Sequence, residues 1–289
     1  MAIESAGGTC APLDSKAEAR VVDFRSPPRG FARALRRQPG IRRVQLPSAG
    51  IEAFADSISE FPALTWTSAK GAYARPVAEH ALALTLALLR DRPLRARSTS
   101  WGTSSGTSLH GLRVLVIGAG GIGVEILRLL KCFDTTVTVM RRREETIPGA
   151  DRTITGASLH DELLAPEVVI VAAALTGATR RLLGVAELAL LPGHAIIVNI
   201  ARGGMIDTEA LTKSLREGML AGAALDVTDP DPLPDGHPLW AQPRALITPH
   251  SADTMEMIIP LLAARVPENV LRMRAGDPLT GFTDIEAGY

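Results

Sequence analysis

Near the C-terminal end of this 289-residue sequence an arginine, an acid and a histidine stand in an order that can do chemistry. Arg202 follows Val198-Asn199-Ile200-Ala201 and precedes Gly203-Gly204; Asp231 lies in Asp229-Pro230-Asp231-Pro232-Leu233-Pro234; His250 closes Thr248-Pro249-His250. A guanidinium forks onto a carboxylate through two parallel N–H bonds. A histidine backed by an acid moves protons near neutral pH without extreme tuning. Together they meet the needs of 2-oxo acid reduction, which places a hydride on the carbonyl carbon and a proton on its oxygen.

The hydride needs a carrier, and Gly118-Ala119-Gly120-Gly121-Ile122-Gly123 is where one would be held. A G-x-G-x-x-G run alone is a weak signal. Here it follows Val114-Leu115-Val116-Ile117 and opens an apolar helical pattern, the context that makes it specific. Gly118 permits the tight turn, Gly120 lets backbone approach a pyrophosphate, and Gly123 allows close helix–sheet packing. The N–H groups of Gly121 and Ile122 would meet the phosphates with the helix dipole behind them. About 20 residues on, an NAD site usually carries an acid that accepts the ribose hydroxyls. This sequence instead reads Val139-Met140-Arg141-Arg142-Arg143, with Glu144 and Glu145 only afterwards. Arg141 and Arg142 would attract a 2′-phosphate and stack on adenine, which favours NADP(H) over NAD; a solvated basic turn is the plainer alternative.

Positioning these groups calls for alternating strands and helices. Strands are expected at 20–22, 43–46, 63–66, 113–117, 136–140, 168–172, 195–199, 221–227 and 245–248. Helices are expected at 31–37, 51–57, 121–133, 158–164, 185–191 and 208–217. Another begins near Pro76, a residue suited to a first helical turn, and runs to Leu89. It is apolar almost all round, as a helix buried between layers is. The Arg-, Ser-, Thr- and Gly-rich stretch 91–108 reads as a long connection. The first twenty residues read as a loose end. A last helix at 254–275 is interrupted at Pro267. Continuous apolar strands separated by helices imply a parallel sheet covered on both faces.

Lys plus Arg equals Asp plus Glu at 31 each, so no basic excess argues for nucleic acid or an anionic membrane. The start of the chain has neither the basic region nor the apolar run of a signal peptide. No apolar stretch approaches the ~18 residues a membrane span needs. Two cysteines, Cys10 and Cys132, form no disulfide framework, which points to a reducing cytoplasm. Cys132 reads as a small core hydrophobe on an apolar helical face. No metal site is expected. His80, His110, His160, His194 and His237 lack a setting like that of His250 and read as surface or capping groups.

Taken in order, several motifs make the chain resemble the D-isomer-specific 2-hydroxyacid dehydrogenase family from about Val21 onward. They are Leu46-Pro47-Ser48-Ala49-Gly50, Pro76-Val77-Ala78-Glu79-His80, the glycine loop, Asn199-Ile200-Ala201-Arg202-Gly203, Asp226-Val227 with Pro232-Leu233-Pro234, and Thr248-Pro249-His250. The resemblance implies an α/β protein of two doubly wound parallel-sheet domains. A Rossmann-type cofactor domain (76–253) would be inserted into a smaller, split substrate domain (1–75 plus 254–289), with substrate in a cleft that closes. By the same match His250 is the general acid, Asp231 its orienting acid, and Arg202 the grip on the substrate carboxylate. Ala49 and Gly50 would offer N–H groups to that carboxylate. Asp226 would bind the nicotinamide carboxamide, and Ala201 and Thr176 would line the cofactor cleft. A homodimer acting on a small 2-oxo or 2-hydroxy acid such as glyoxylate or hydroxypyruvate is implied.

Two departures from the family pattern stand out. The strand–helix unit usual before Val21 is replaced by a short polar stretch, so the substrate domain is expected to be small. Asp231 stands where the family has glutamate and is shorter by one methylene, ~1.3 Å, against a working hydrogen bond of about 2.6–3.2 Å. Either the backbone moves inward, a water bridges, or proton transfer is weakened. In the last case activity is low without being absent; the two departures together motivate a rival reading, a catalytically weak or inactive dinucleotide-sensing or scaffold protein on the same fold.

Overall fold

A computed structural model describes residues 2–12 and 16–284 of the chain. It divides into two compact units, Met1–Tyr73 with Thr254–Tyr289, and Ala74–Asp253. The first unit contains α1 (Ala2–Ser5), β1 (Ala19–Val21), α2 (Phe31–Arg36), β2 (Arg43–Gln45), α3 (Ala55–Glu60) and β3 (Thr65–Thr67). The second runs through α4 (Ala74–Leu89), α5 (Arg92–Ala96), β4 (Arg113–Ile117), α6 (Gly121–Leu130), β5 (Thr136–Met140), β6 (Arg152–Ile154) and α7 (Leu159–Glu162). It continues with β7 (Val168–Val171), α8 (Val185–Leu190), β8 (Ile196–Asn199), α9 (Thr208–Arg216), β9 (Gly222–Leu225) and β10 (Ala245–Ile247). The chain then returns to the first unit as α10 (Met255–Ala275).

In the second unit seven parallel strands lie in the order β10-β9-β8-β7-β4-β5-β6. The chain enters at β4, moves outward to β6, and returns to place β7 on the other side of β4. Strand order thus reverses between β4 and β7, and ligands of open α/β sheets bind outside the carboxyl ends at such a point. β7 and β8 are buried at every residue, as strands covered on both faces must be. Leu115, Ile117, Val169, Val171, Ile197 and Leu225 are among the side chains that fill one face.

The first unit is a three-stranded parallel sheet with β2 in the middle. Its core gathers Phe31, Leu35, Val44, Phe54, Ile58 and Trp66, with Phe31 packing edge-on against Phe54 at 5.4 Å. Residues 280–283 pair with the end of β3, through Ser68 N–H to the Gly281 carbonyl (2.8 Å) and Thr283 N–H to the Trp66 carbonyl (3.0 Å).

Several local expectations are corrected. Within the first twenty residues, 2–7 are not a loose end: α1 packs on α10, and the Arg274 guanidinium donates to the Gly7 carbonyl at 3.0 Å, while residues 13–15 lie outside the described residues. The 91–108 connection contains α5, opened by a proline in its first turn. β6 escaped the sequence reading because a three-residue edge strand, Arg-Thr-Ile, carries little apolar signal. Cys132 is exposed rather than in the core, because α6 ends at Leu130 and residues 131–133 tighten into a 3₁₀ turn that rotates it outward. α4 buries one face (Val77, Ala78, Ala81, Leu84, Thr85, Leu88, Leu89) and leaves Ala83 exposed, since α6, β8 and β9 meet it from one side. α10 runs unbroken through Pro260 and Pro267.

Candidate active site

The glycine loop leaves the carboxyl end of β4 at the strand-order reversal. Gly118 lies against the backbone of Ala172, which follows β7, with φ +116°. A Cβ on Gly123 would collide with the Gly118 carbonyl oxygen, so only glycine lets α6 start this close to the strand. A Cβ on Gly120 would meet nothing, and Gly120 and Gly121 are exposed at the helix start. Ile122 is half-buried there. Exposed glycines, an open approach and a helix N-terminus fit a pyrophosphate.

At the tip of β5, Arg141 is largely covered and folds back on Glu145, with Nη2 3.0 Å from Oε2. Arg142 and Arg143 are exposed. No acid occupies the tip itself. Thr176 lies in the turn after β7, where its N–H donates to the Thr179 hydroxyl at 2.7 Å.

Arg202 follows β8. Asn199, the last residue of that strand, is 1% exposed and braces the turn from both sides. Its Nδ2 donates to the Arg202 carbonyl (3.0 Å) and its Oδ1 accepts from Ala201 N–H (3.0 Å). Ala201 is buried, and the Arg202 Nη1 donates to its carbonyl at 2.7 Å. Gly203 packs against the chain after β9 so closely that a Cβ would collide with the Thr228 carbonyl oxygen. The arginine turn and the acid turn are thereby in backbone contact.

The acid reaches the histidine. Asp231 Oδ2 lies 3.1 Å from His250 Nδ1, and both side chains are about half exposed. The shorter acid is thus in direct hydrogen-bond range of the imidazole. The Thr228 hydroxyl donates to the Pro230 carbonyl (2.7 Å) and so folds the turn that carries Asp231. A carboxylate only accepts, so Nδ1 carries the hydrogen and Nε2 is left as the proton-transfer atom.

His250 itself has φ +51°, a left-handed backbone that costs a non-glycine residue about 1–3 kcal/mol. Its N–H is shared between the carbonyls of Asp226 (2.9 Å) and Thr248 (3.0 Å). The next two N–H groups, of Ser251 and Ala252, point at the Asp226 carboxylate at 2.8 and 3.1 Å. That carboxylate, 2% exposed, also accepts from the Thr248 hydroxyl at 2.6 Å. Burial alone would raise its pKa, but hydrogen bonds from His80, Thr248, Ser251 and Ala252 outweigh burial and hold it at about 2. The structure therefore gives Asp226 an internal task, holding the His250 turn, that its place in the sequence did not disclose.

Two further groups were missed. His80, on the first turns of α4, is no surface group: its Nε2 lies 3.2 Å from Thr248 Oγ1 and 3.4 Å from Asp226 Oδ1. Asp253 follows His250 by three residues. Burial raises its carboxyl above the ordinary aspartate range and the Asp226 charge adds to this, while the charges of His250 and Arg202 pull it down. The only sequence signal was position beside a recognised motif. His110, His160 and His194 are exposed, and His237 accepts from Leu239 N–H as a helix cap. Ala49 and Gly50 lie in the first unit, just after β2, where Ser48 Oγ donates to the Gly50 carbonyl. Among the described residues no group of His, Cys, Asp and Glu is arranged to hold a metal ion, and no helix is long and apolar enough to cross a membrane.

Residues 82–252 match the family model described as D-isomer specific 2-hydroxyacid dehydrogenase, NAD binding domain. The chain is 34% identical over 255 residues to a Corynebacterium melassecola protein described as an uncharacterized protein in the proB 3′ region, covering 86% of this chain and 84% of that one. It is 35% identical to a glyoxylate reductase of Aeropyrum pernix over 59% of this chain and 51% of the relative, so the match spans about half that enzyme's length. The crystal structure of a D-isomer specific 2-hydroxyacid dehydrogenase from Xanthobacter autotrophicus Py2, in complex with NADPH and MES, superposes with a TM-score of 0.85 at 30% identity. That match covers 98% of this chain and 89% of the other. Family model, sequence relative and fold agree: the chain belongs to the D-isomer specific 2-hydroxyacid dehydrogenase family, whose members are nicotinamide-dependent enzymes.

Proposed function

We propose that the protein reduces a small 2-oxo acid, such as glyoxylate or hydroxypyruvate, to the 2-hydroxy acid and favours NADP(H). The observation that carries this reading is the 3.1 Å contact of Asp231 with His250, on a turn adjoining the one that bears Arg202. A bound nicotinamide dinucleotide supplies the hydride in reduction and takes it up in oxidation. Arg202 binds the substrate carboxylate and polarises the carbonyl, and fixed positive charge lowers the cost of the developing alkoxide. His250 gives its Nε2 proton to that oxygen, with Asp231 steadying the imidazolium.

The second unit is proposed to hold the dinucleotide, with Gly118, Gly120, Gly121, Ile122 and Gly123 at the pyrophosphate and Ala201 and Thr176 beside it. The first unit is proposed as the substrate domain. The N–H groups of Ala49 and Gly50 are proposed as carboxylate donors, and Asp226 as partner of the nicotinamide carboxamide, on the family pattern alone. Arg141 and Arg142 at the β5 tip favour a 2′-phosphate, and the NADPH bound to the Xanthobacter relative supports that preference. Arg141→Asp is expected to weaken NADPH binding about tenfold or more and NADH little; titration of intrinsic fluorescence checks it, and equal losses would remove the preference.

A homodimer is also proposed from the family pattern, with a solution mass near twice 30.6 kDa by light scattering; a monomer would contradict it. Cys10 and Cys132 are free and exposed, which a reducing cytoplasm tolerates.

A further inference from the structure

We propose that His80 is a positioning residue for proton transfer, holding His250 in place through Thr248 and Asp226. The proposal rests on the reading of His250 as the proton donor, and it adds a residue that touches neither substrate nor dinucleotide in that reading.

The hydrogen-bond arithmetic fixes the direction of the chain of contacts. The Asp226 carboxylate accepts only. Thr248 has one hydroxyl hydrogen, and at 2.6 Å it goes to Asp226 Oδ1. The Thr248 oxygen therefore accepts from His80, whose Nε2 lies 3.2 Å away. The same Nε2–H faces Asp226 Oδ1 at 3.4 Å. His80 thus carries its hydrogen on Nε2 and presents it to both partners. Those partners hold the turn: Asp226 takes the N–H groups of Ser251 and Ala252, and its own carbonyl shares that of His250 with Thr248.

The reason for such bracing is the backbone of His250. At φ +51° it occupies a region that a non-glycine residue keeps only when its surroundings over-determine it. Without the His80 donor, Thr248 is free to turn its hydroxyl and one acceptor site on a buried carboxylate is unfilled. The His250 turn then loses its fixed support and relaxes, and the imidazole leaves its productive place. A misplacement on the order of 1 Å costs about 10²-fold in rate.

His80→Leu removes the donor, His80→Gln returns an N–H at the same number of bonds from the backbone, and Thr248→Val cuts the link. Steady-state reduction of glyoxylate with NADPH is the readout, beside His250→Gln as reference. His80→Leu is expected to lower kcat about 10- to 100-fold with KM for glyoxylate changed by less than about twofold. His80→Gln should restore most of the rate. Thr248→Val should match His80→Leu, and the double variant should lose no more than either alone, as coupled residues do. A change in melting temperature with unchanged kcat, a proportional rise in KM, or additive losses would overturn the proposal. If His250→Gln keeps full turnover, the functional reading itself fails; if it abolishes turnover while His80→Leu does not slow it, only the positioning role fails.

Discussion

Asp231 is in contact with His250 although its side chain is one methylene shorter than glutamate. Its oxygen stands 3.1 Å from His250 Nδ1, within hydrogen-bond range, on a turn in which the Thr228 hydroxyl donates to the Pro230 carbonyl. Lengthening it should therefore bring no benefit: Asp231→Glu is expected to leave kcat within about threefold or reduce it, whereas Asp231→Ala should lower kcat about 10²-fold, the lower range of positioned acid–base catalysis. A large gain for Asp231→Glu in initial-rate assays would show the acid to be out of reach in solution. His250 and Arg202 were legible in the sequence because their motifs fix them. His80 was not: its meaning depends on Thr248, 168 residues away, and no local pattern records such a contact.

The carboxyl ends of β8, β9 and β10 bring Arg202, the Asp226–Asp231 turn and His250 onto one edge of the sheet. Strand centres were readable because apolar runs of four or five residues must be buried on both faces. Element ends were less so, since the last residues peel off into the turns that carry function: β9 stops at Leu225 and leaves Asp226 to bind the His250 turn. This gives a stability prediction. The Asp226 pKa is held at about 2, below its unfolded value near 3.8, so its contribution is present above the unfolded value and is lost as pH falls toward 2. The shift corresponds to about 2 kcal/mol. Urea unfolding at pH 7 should show Asp226→Asn less stable by roughly that amount or more. The gap should narrow between about pH 5 and pH 2; a gap independent of pH would mean that Asp226 is not held as a buried anion.

At the scale of the molecule, the parallel α/β order was visible in the alternation of apolar strands and helices, and the glycine loop marked where the sheet reverses. What the sequence hid was the pairing of segments near the two ends: α1 packs on α10, and residues 280–283 pair beside β3. Those contacts join segments more than two hundred residues apart, beyond the range of any periodicity. The central claim concerns the whole chain, because hydride source, carboxylate grip and proton donor must act together. It is tested most directly by initial rates of the purified protein across a panel of small 2-oxo acids, each with NADPH and with NADH. The expected result is turnover of glyoxylate or hydroxypyruvate that is faster with NADPH, abolished in His250→Gln. Tight NADPH binding with no turnover of any 2-oxo acid by either dinucleotide would contradict it, and would leave a dinucleotide-binding protein on a dehydrogenase fold.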